Sequence, residues 1–130
     1  MKSTRIVLLA VSVAWLSAGF AYAHHSFAGT YDAVAKPVTI KGEIVQFLFR
    51  NPHSFIHVMA PDANGEMHRW TLEWGGGGQI QRMGITRETL RPGDVVVVTG
   101  SPARKAADHR MLVKRIERPL DGWKWEGTVD

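Results

Sequence analysis

Two alternating runs, Ser54 to Ala60 and Glu66 to Trp74, stand either side of Pro61-Asp62-Ala63-Asn64-Gly65, and nothing else in the chain restricts its fold as much. A period of two puts Ile56 and Val58 on one face of the first run and Phe55, His57 and Met59 on the other. In the second run Trp70, Leu72 and Trp74 share a face, with Arg69, Thr71 and Glu73 opposite. A slip of one residue turns every side chain over, so the two apolar faces set the register. Val58 then stands across from Trp70 and Ile56 across from Leu72, joined through the odd loop Ala63-Asn64-Gly65 with Gly65 left-handed. The polar faces pair Met59 with Arg69, His57 with Thr71 and Phe55 with Glu73. His53 becomes a diagonal neighbour of Glu73, within reach of a shared ligand.

The flanking segments extend this hairpin into a sheet. Val38 to Phe49 is β-prone, and its alternation breaks at Gly42, which predicts a long strand bent or bulged at the glycine. Asn51-Pro52 stops it. Gly75 to Gly78 predicts a flexible turn into a short helix that ends at Gly84, and Thr86 is placed to cap a further helical turn. Arg91-Pro92-Gly93-Asp94 reads as a turn, Val95 to Thr99 as a buried strand, Ser101 to Asp108 as a polar loop and His109 to Arg118 as a fifth strand. Three strands, a helix and two strands predict an all-β, mainly β chain: a small OB-type five-stranded barrel with one short helix between strands three and four. A small sandwich or roll with the helix packed on one end is the competing architecture.

Met1 to Ala23 has the pattern of a secretory signal. Lys2 and Arg5 precede the apolar stretch, and Ala21-Tyr22-Ala23 supplies a small-x-small cleavage site. The 15 apolar-rich residues from Ile6 to Phe20 fall short of the ~20 that span a bilayer. The expectation is a periplasmic or secreted protein cut after Ala23, with no stable membrane span afterwards. The expected organisation is signal peptide 1–23, N-terminal arm 24–37, barrel 38–118 and C-terminal tail 119–130. What remains is enough for one core. The formal charge of +4 includes Lys2 and Arg5, and the other basic residues are scattered, which argues against nucleic acid as a partner. With no cysteine, a bound metal has only nitrogen and oxygen ligands.

Cleavage after Ala23 makes His24 and His25 the first two residues. A free amine and the ring Nδ1 of His24 chelate copper(II), and one further imidazole completes a T-shaped set of three nitrogens. His53, in the Asn51-Pro52-His53 corner, is the candidate for that imidazole, with His25 and Glu73 as auxiliary or orienting groups. His57 shares a face with His53 but lies four residues along the strand, ~13 Å away, and serves better as a partner for Thr71. His68 and His109 read as surface residues. The glycine run lacks the Gly-Lys-Ser/Thr ending of a phosphate cradle, and no serine sits in a nucleophile elbow.

Taken together, His24-His25-Ser26-Phe27, Lys36-Pro37-Val38-Thr39, Gly42, Asn51-Pro52-His53, Asn64-Gly65, Leu72-Glu73 and Leu90-Arg91-Pro92-Gly93-Asp94 resemble the domain-of-unknown-function family 6152 of small exported bacterial proteins. The resemblance runs over nearly all of the chain after Ala23, and implies an exported single domain with no established activity and no assigned catalytic residue. The chain departs from that family at Trp74 to Gly84, where other members have Gly-Ser-Pro-Asn and a Leu-Leu-Arg-Arg helix. Two functions follow as expectations. The first is a copper(II) carrier or buffer, with zinc as the second choice of metal, and no residue pattern that calls for an enzyme. The second is a metal-free module that binds an oligosaccharide, peptide or envelope protein through Phe55, Met59, Trp123 and Trp125.

Overall fold

The computed structural model describes residues 27–129. Strands β1 (Val38–Leu48), β2 (Ser54–Pro61) and β3 (Met67–Trp74) precede one helix, α1 (Gly77–Arg82), and strands β4 (Val95–Pro102), β5 (Arg110–Arg118) and β6 (Trp123–Glu126) follow it. The sheet order is β3-β2-β1-β4-β5-β6, and β3 also pairs with β5 in parallel, Thr71 with Arg110 and Glu73 with Leu112. That pairing closes β1 to β5 into the OB-type barrel. Among the described residues no helix is long and apolar enough to cross a membrane.

The central hairpin has the register its alternation dictates. Val58 faces Trp70, Ile56 faces Leu72, Phe55 faces Glu73, and Gly65 is left-handed at φ 82°. Ile56, Val58, Leu72 and Trp74 are completely buried, and Ile40, Ile44, Val96, Val98, Met111 and Ile116 fill the barrel around them. The short helix closes one end with Ile80. Its C-terminus turns at Gly84, φ 83°, where the Ile85 amide returns to the Ile80 carbonyl. Thr86 receives the Glu88 amide on its hydroxyl, but the segment forms a turn and no further helix.

Two local expectations are corrected, and the arm and tail gain detail. The bulge in β1 falls at Val45, between the pairs Ile44–Val58 and Gln46–His57, and not at Gly42. Gly42 serves close approach instead: a β-carbon there lies 2.2 Å from the Met59 carbonyl oxygen. The glycine run is no loose turn. Gly75 to Gly77 are buried against the β1–β2 corner, the Gly77 amide donates to the Arg50 carbonyl, and a β-carbon on Gly76 would meet the Pro52 carbonyl at 2.4 Å. The arm carries local structure of its own. Residues 27–30 form a helical turn, Tyr31 bridges Ala103, and the Asp32 amide donates to the Pro102 carbonyl. In the tail, β6 pairs with β5 over Arg115 to Arg118, beyond the stretch of β5 paired with β3.

Gly42→Ala is expected to cost about 1–3 kcal/mol, because the obstacle is backbone that has to move. Gly29→Ala, where a β-carbon meets nothing within 4 Å, stays within about 0.5 kcal/mol of the parent. Urea denaturation midpoints of the two variants decide it.

Candidate functional site

Glu73 alternates onto the outer face of β3 and ought to be wet, yet it is only 6% exposed. The docked arm is the reason: Phe27 and Tyr31 pack with Ala103 into a small second core over that face. A carboxylate taken out of water needs several charged or strongly polar partners, and Glu73 has three. The Tyr31 hydroxyl donates to Oε2 at 2.5 Å, Arg110 Nη2 donates to the same oxygen at 3.2 Å, and His53 Nδ1 lies 2.7 Å from Oε1. Arg110 Nη2 also reaches the Tyr31 oxygen at 3.4 Å.

Each partner is supplied by a different local device. The Asn51–Pro52 peptide is cis, and the buried glycines behind it hold the corner from which His53 projects. Tyr31 comes from the arm, and Arg110 from the first position of β5, two residues before the residue paired with Glu73. The His53 ring is stacked on Phe27 at 4.7 Å and 28°. With Nδ1 donating to Glu73, the neutral ring keeps an unshared pair on Nε2. Burial, then the bond to Glu73 and its negative charge, push the Tyr31 hydroxyl far above its ordinary value, against a smaller opposing pull from Arg110.

The sequence brings His53 to Glu73, and the structure has them in contact. It does not reveal Tyr31 or Arg110, because their approach depends on arm docking and on the β3–β5 closure, neither of which leaves a local pattern. His24 and His25 lie outside the described residues, as does the cleavage site. His57 bonds the Thr71 hydroxyl at 3.3 Å, as the register requires, and burial followed by the charges of Arg69 and Arg50 lowers its pKa. Trp125 packs edge-on to Trp74 at 5.0 Å and Trp123 lies under Arg118, so both are occupied in covering the core.

His68 and His109, read from sequence as isolated surface residues, are neither isolated nor fully exposed. Their rings stack at 3.7 Å, and Asp62 Oδ2 lies 3.2 Å from His68 Nε2 and 4.0 Å from His109 Nε2. Burial pushes the Asp62 carboxyl up, but the amides of Glu66 and Asn64 together with His68 outweigh it and hold the group below the ordinary carboxylate value. One sequence signal pointed this way: Ala60 opposite His68 puts the start of the hairpin loop beside that histidine.

Tyr31 is the one tyrosine of a chain that starts at His24, since the other is Tyr22. Its folded pKa is raised, so its contribution to stability is complete below the unfolded value of about 10 and is lost only as pH rises toward the folded one. The expected outcome is no tyrosinate absorbance until alkaline unfolding, with the two transitions coincident. Ionisation of Tyr31 near pH 10 in a folded barrel contradicts it. Tyr31→Phe removes a hydrogen bond to a buried charge and is expected to cost about 1.5–3 kcal/mol, read from thermal or urea unfolding.

No curated protein matches the chain. Among solved structures it is similar to the mitochondrial single-stranded DNA binding protein Rim1 of S. cerevisiae, at 19% identity over 63% of this chain and 91% of that one, with a TM-score of 0.46. That likeness is too low to transfer a ligand. The model of a protein family described as "Family of unknown function (DUF6152)" matches residues 11–112, the family that the His-His-Ser-Phe and Asn-Pro-His motifs resemble. The chain belongs to the DUF6152 family of unknown function.

Proposed function

We propose that the protein is a small exported metal-binding protein that carries or buffers copper(II), with His53 as its fixed imidazole. The observation that carries this reading is the state of the His53 ring. Its Nδ1 is spent on a buried carboxylate at 2.7 Å, its face is covered by Phe27, and Nε2 bonds no other group among the described residues. A carboxylate behind a histidine fixes the tautomer and raises the basicity of the outward nitrogen. Glu73, with both oxygens already engaged, fits the role of orienting group better than that of direct ligand.

Phe27 also supports a role for the chain start. It lies three residues after His24, a span of at most about 11 Å, and it sits against the His53 ring. A signal peptide removed after Ala23 frees the His24 amine. That amine and the His24 Nδ1 supply two nitrogens, His53 Nε2 supplies a third, and His25 stands by as an auxiliary ligand. Three nitrogens in one plane suit copper(II) ahead of zinc. A carrier of this kind hands its ion to a partner in the envelope and calls for no catalytic residue.

Copper(II) titrated into protein that begins at His24 is expected to bind at least about tenfold more tightly than to protein with one added N-terminal glycine. His53→Ala is expected to weaken the first form by a comparable factor. Equal affinity in the native-start and glycine-extended forms removes the terminal chelate, and an unchanged His53→Ala removes the fixed imidazole.

A further inference from the structure

We propose that Asp62, His68 and His109 form a second metal site, specific for a divalent ion of the zinc class, at the mouth of the barrel. It does not overlap the His53 cluster. His68 and Glu73 are five residues apart on β3, and a rise of about 3.3 Å per residue separates them by ~16 Å, too far to share an ion. The three residues come from separate parts of the chain: the loop after β2, β3 itself and the residue before β5. One ligand atom from each lies within 4.8 Å of the other two. Bonds of 2.0–2.2 Å in a tetrahedral set leave ligand atoms roughly 3.3–3.5 Å apart. The side chains therefore need to close by about 1 Å, with the Nε2 edges of the two rings tilting toward the ion.

Three features of the cluster make sense with a cation and are awkward without one. The imidazoles lie face to face, 3.7 Å apart and 17° from parallel, the arrangement aromatic quadrupoles favour least. That stacking turns both Nε2 atoms toward one carboxylate oxygen, which is within bonding distance of His68 only. An ion in that gap engages both rings at once. His109 is held in the left-handed region at φ 45°, the sole described residue other than glycine with a positive φ, and such conformations gather at functional sites. Asp62 is set in advance, because Oδ1 accepts the Asn64 amide at 2.8 Å and the Glu66 amide at 3.0 Å, leaving Oδ2 for the histidines.

The surroundings leave a coordination position open. Asp62, His68 and His109 line a cavity of about 580 Å³ together with Val38, Ile40 and Trp70. Two nitrogens and one oxygen from the protein, with a fourth position facing that cavity, match zinc sites that keep a water or exchangeable ligand. Calcium and magnesium prefer sets made of oxygen alone. Binding uses the Nε2 lone pairs, so the proton between His68 and Asp62 shifts to Nδ1 or leaves to solvent.

The test uses the full 130-residue chain, in which His24 has no free amine and the terminal chelate cannot form. Zinc chloride is titrated against a chromogenic competitor, and cobalt(II) absorbance reports the coordination geometry. The expected result is one zinc per chain, bound roughly a hundredfold more weakly after Asp62→Asn with His68→Gln, and unchanged within about twofold after His53→Ala. Cobalt(II) gives an intense visible band in the parent and none in the double variant. Circular dichroism confirms the fold. If the double variant misfolds, Asp62→Asn alone decides, because its amide oxygen can still accept the loop amides. Equal zinc affinity in parent and variant overturns the site, as does loss of binding on His53→Ala. Copper binding by protein starting at His24 is read separately, so either site can fail without the other.

Discussion

A carboxylate cut off from water on the outer face of β3 has to find its charge partners inside the protein, and Glu73 finds them in three places that local structure would not bring together. His53 comes from the β1–β2 corner, Tyr31 from the arm and Arg110 from the start of β5. Removing one partner from a buried ion pair costs about 3–5 kcal/mol, more than most single contacts in a domain of this size. The cluster therefore requires the arm to dock, the corner to hold its shape, and β5 to lie against β3 with Thr71 beside Arg110. An apolar contact in the same place would tolerate sliding. A directional charge cluster tolerates much less.

The parts of the fold legible in the sequence are those governed by short periods. Alternation fixed β2 and β3 against each other, pair by pair, because Trp70, Leu72 and Trp74 had only one face to bury. It also placed His53 beside Glu73. The parts that were not legible depend on contacts across long stretches of chain. Tyr31 and Glu73 are 42 residues apart and Arg110 and Glu73 are 37 apart, and nothing near Tyr31 signals a buried hydroxyl. The glycines misled for a related reason. Composition alone makes four in a row look flexible, whereas Gly76 lets the backbone press against Pro52, and Gly77 against Phe49, without a side chain between.

Arg118 shows the same logic in a setting that needs no function. It binds Asp94 at 2.9 Å and Asp121 at 2.8 Å, donates to the Thr89 carbonyl at 2.7 Å and lies over Trp123. Each nitrogen of the Arg118 guanidinium has a partner there, and the two turns at Arg91-Pro92-Gly93-Asp94 and Asp121-Gly122 are tied to β5. Asp62 with His68 and His109 is different: His109 Nε2 stands 4.0 Å from Asp62 Oδ2, beyond hydrogen-bond distance. A matched network reads as architecture, and a cluster one partner short reads as a place for something to bind.

The two candidate sites meet in one dipeptide. His109 joins Asp62 and His68, and the next residue, Arg110, joins Glu73. Neighbouring residues of a strand point to opposite faces, and the left-handed backbone of His109 lets the chain aim one side chain at each cluster as β5 begins. The His109 carbonyl, accepting the Thr71 amide at 2.9 Å, is also a bond that draws β5 onto β3. The contact that closes the barrel is thus the contact on which both clusters depend. The two clusters share that backbone bond, but no side chain belongs to both.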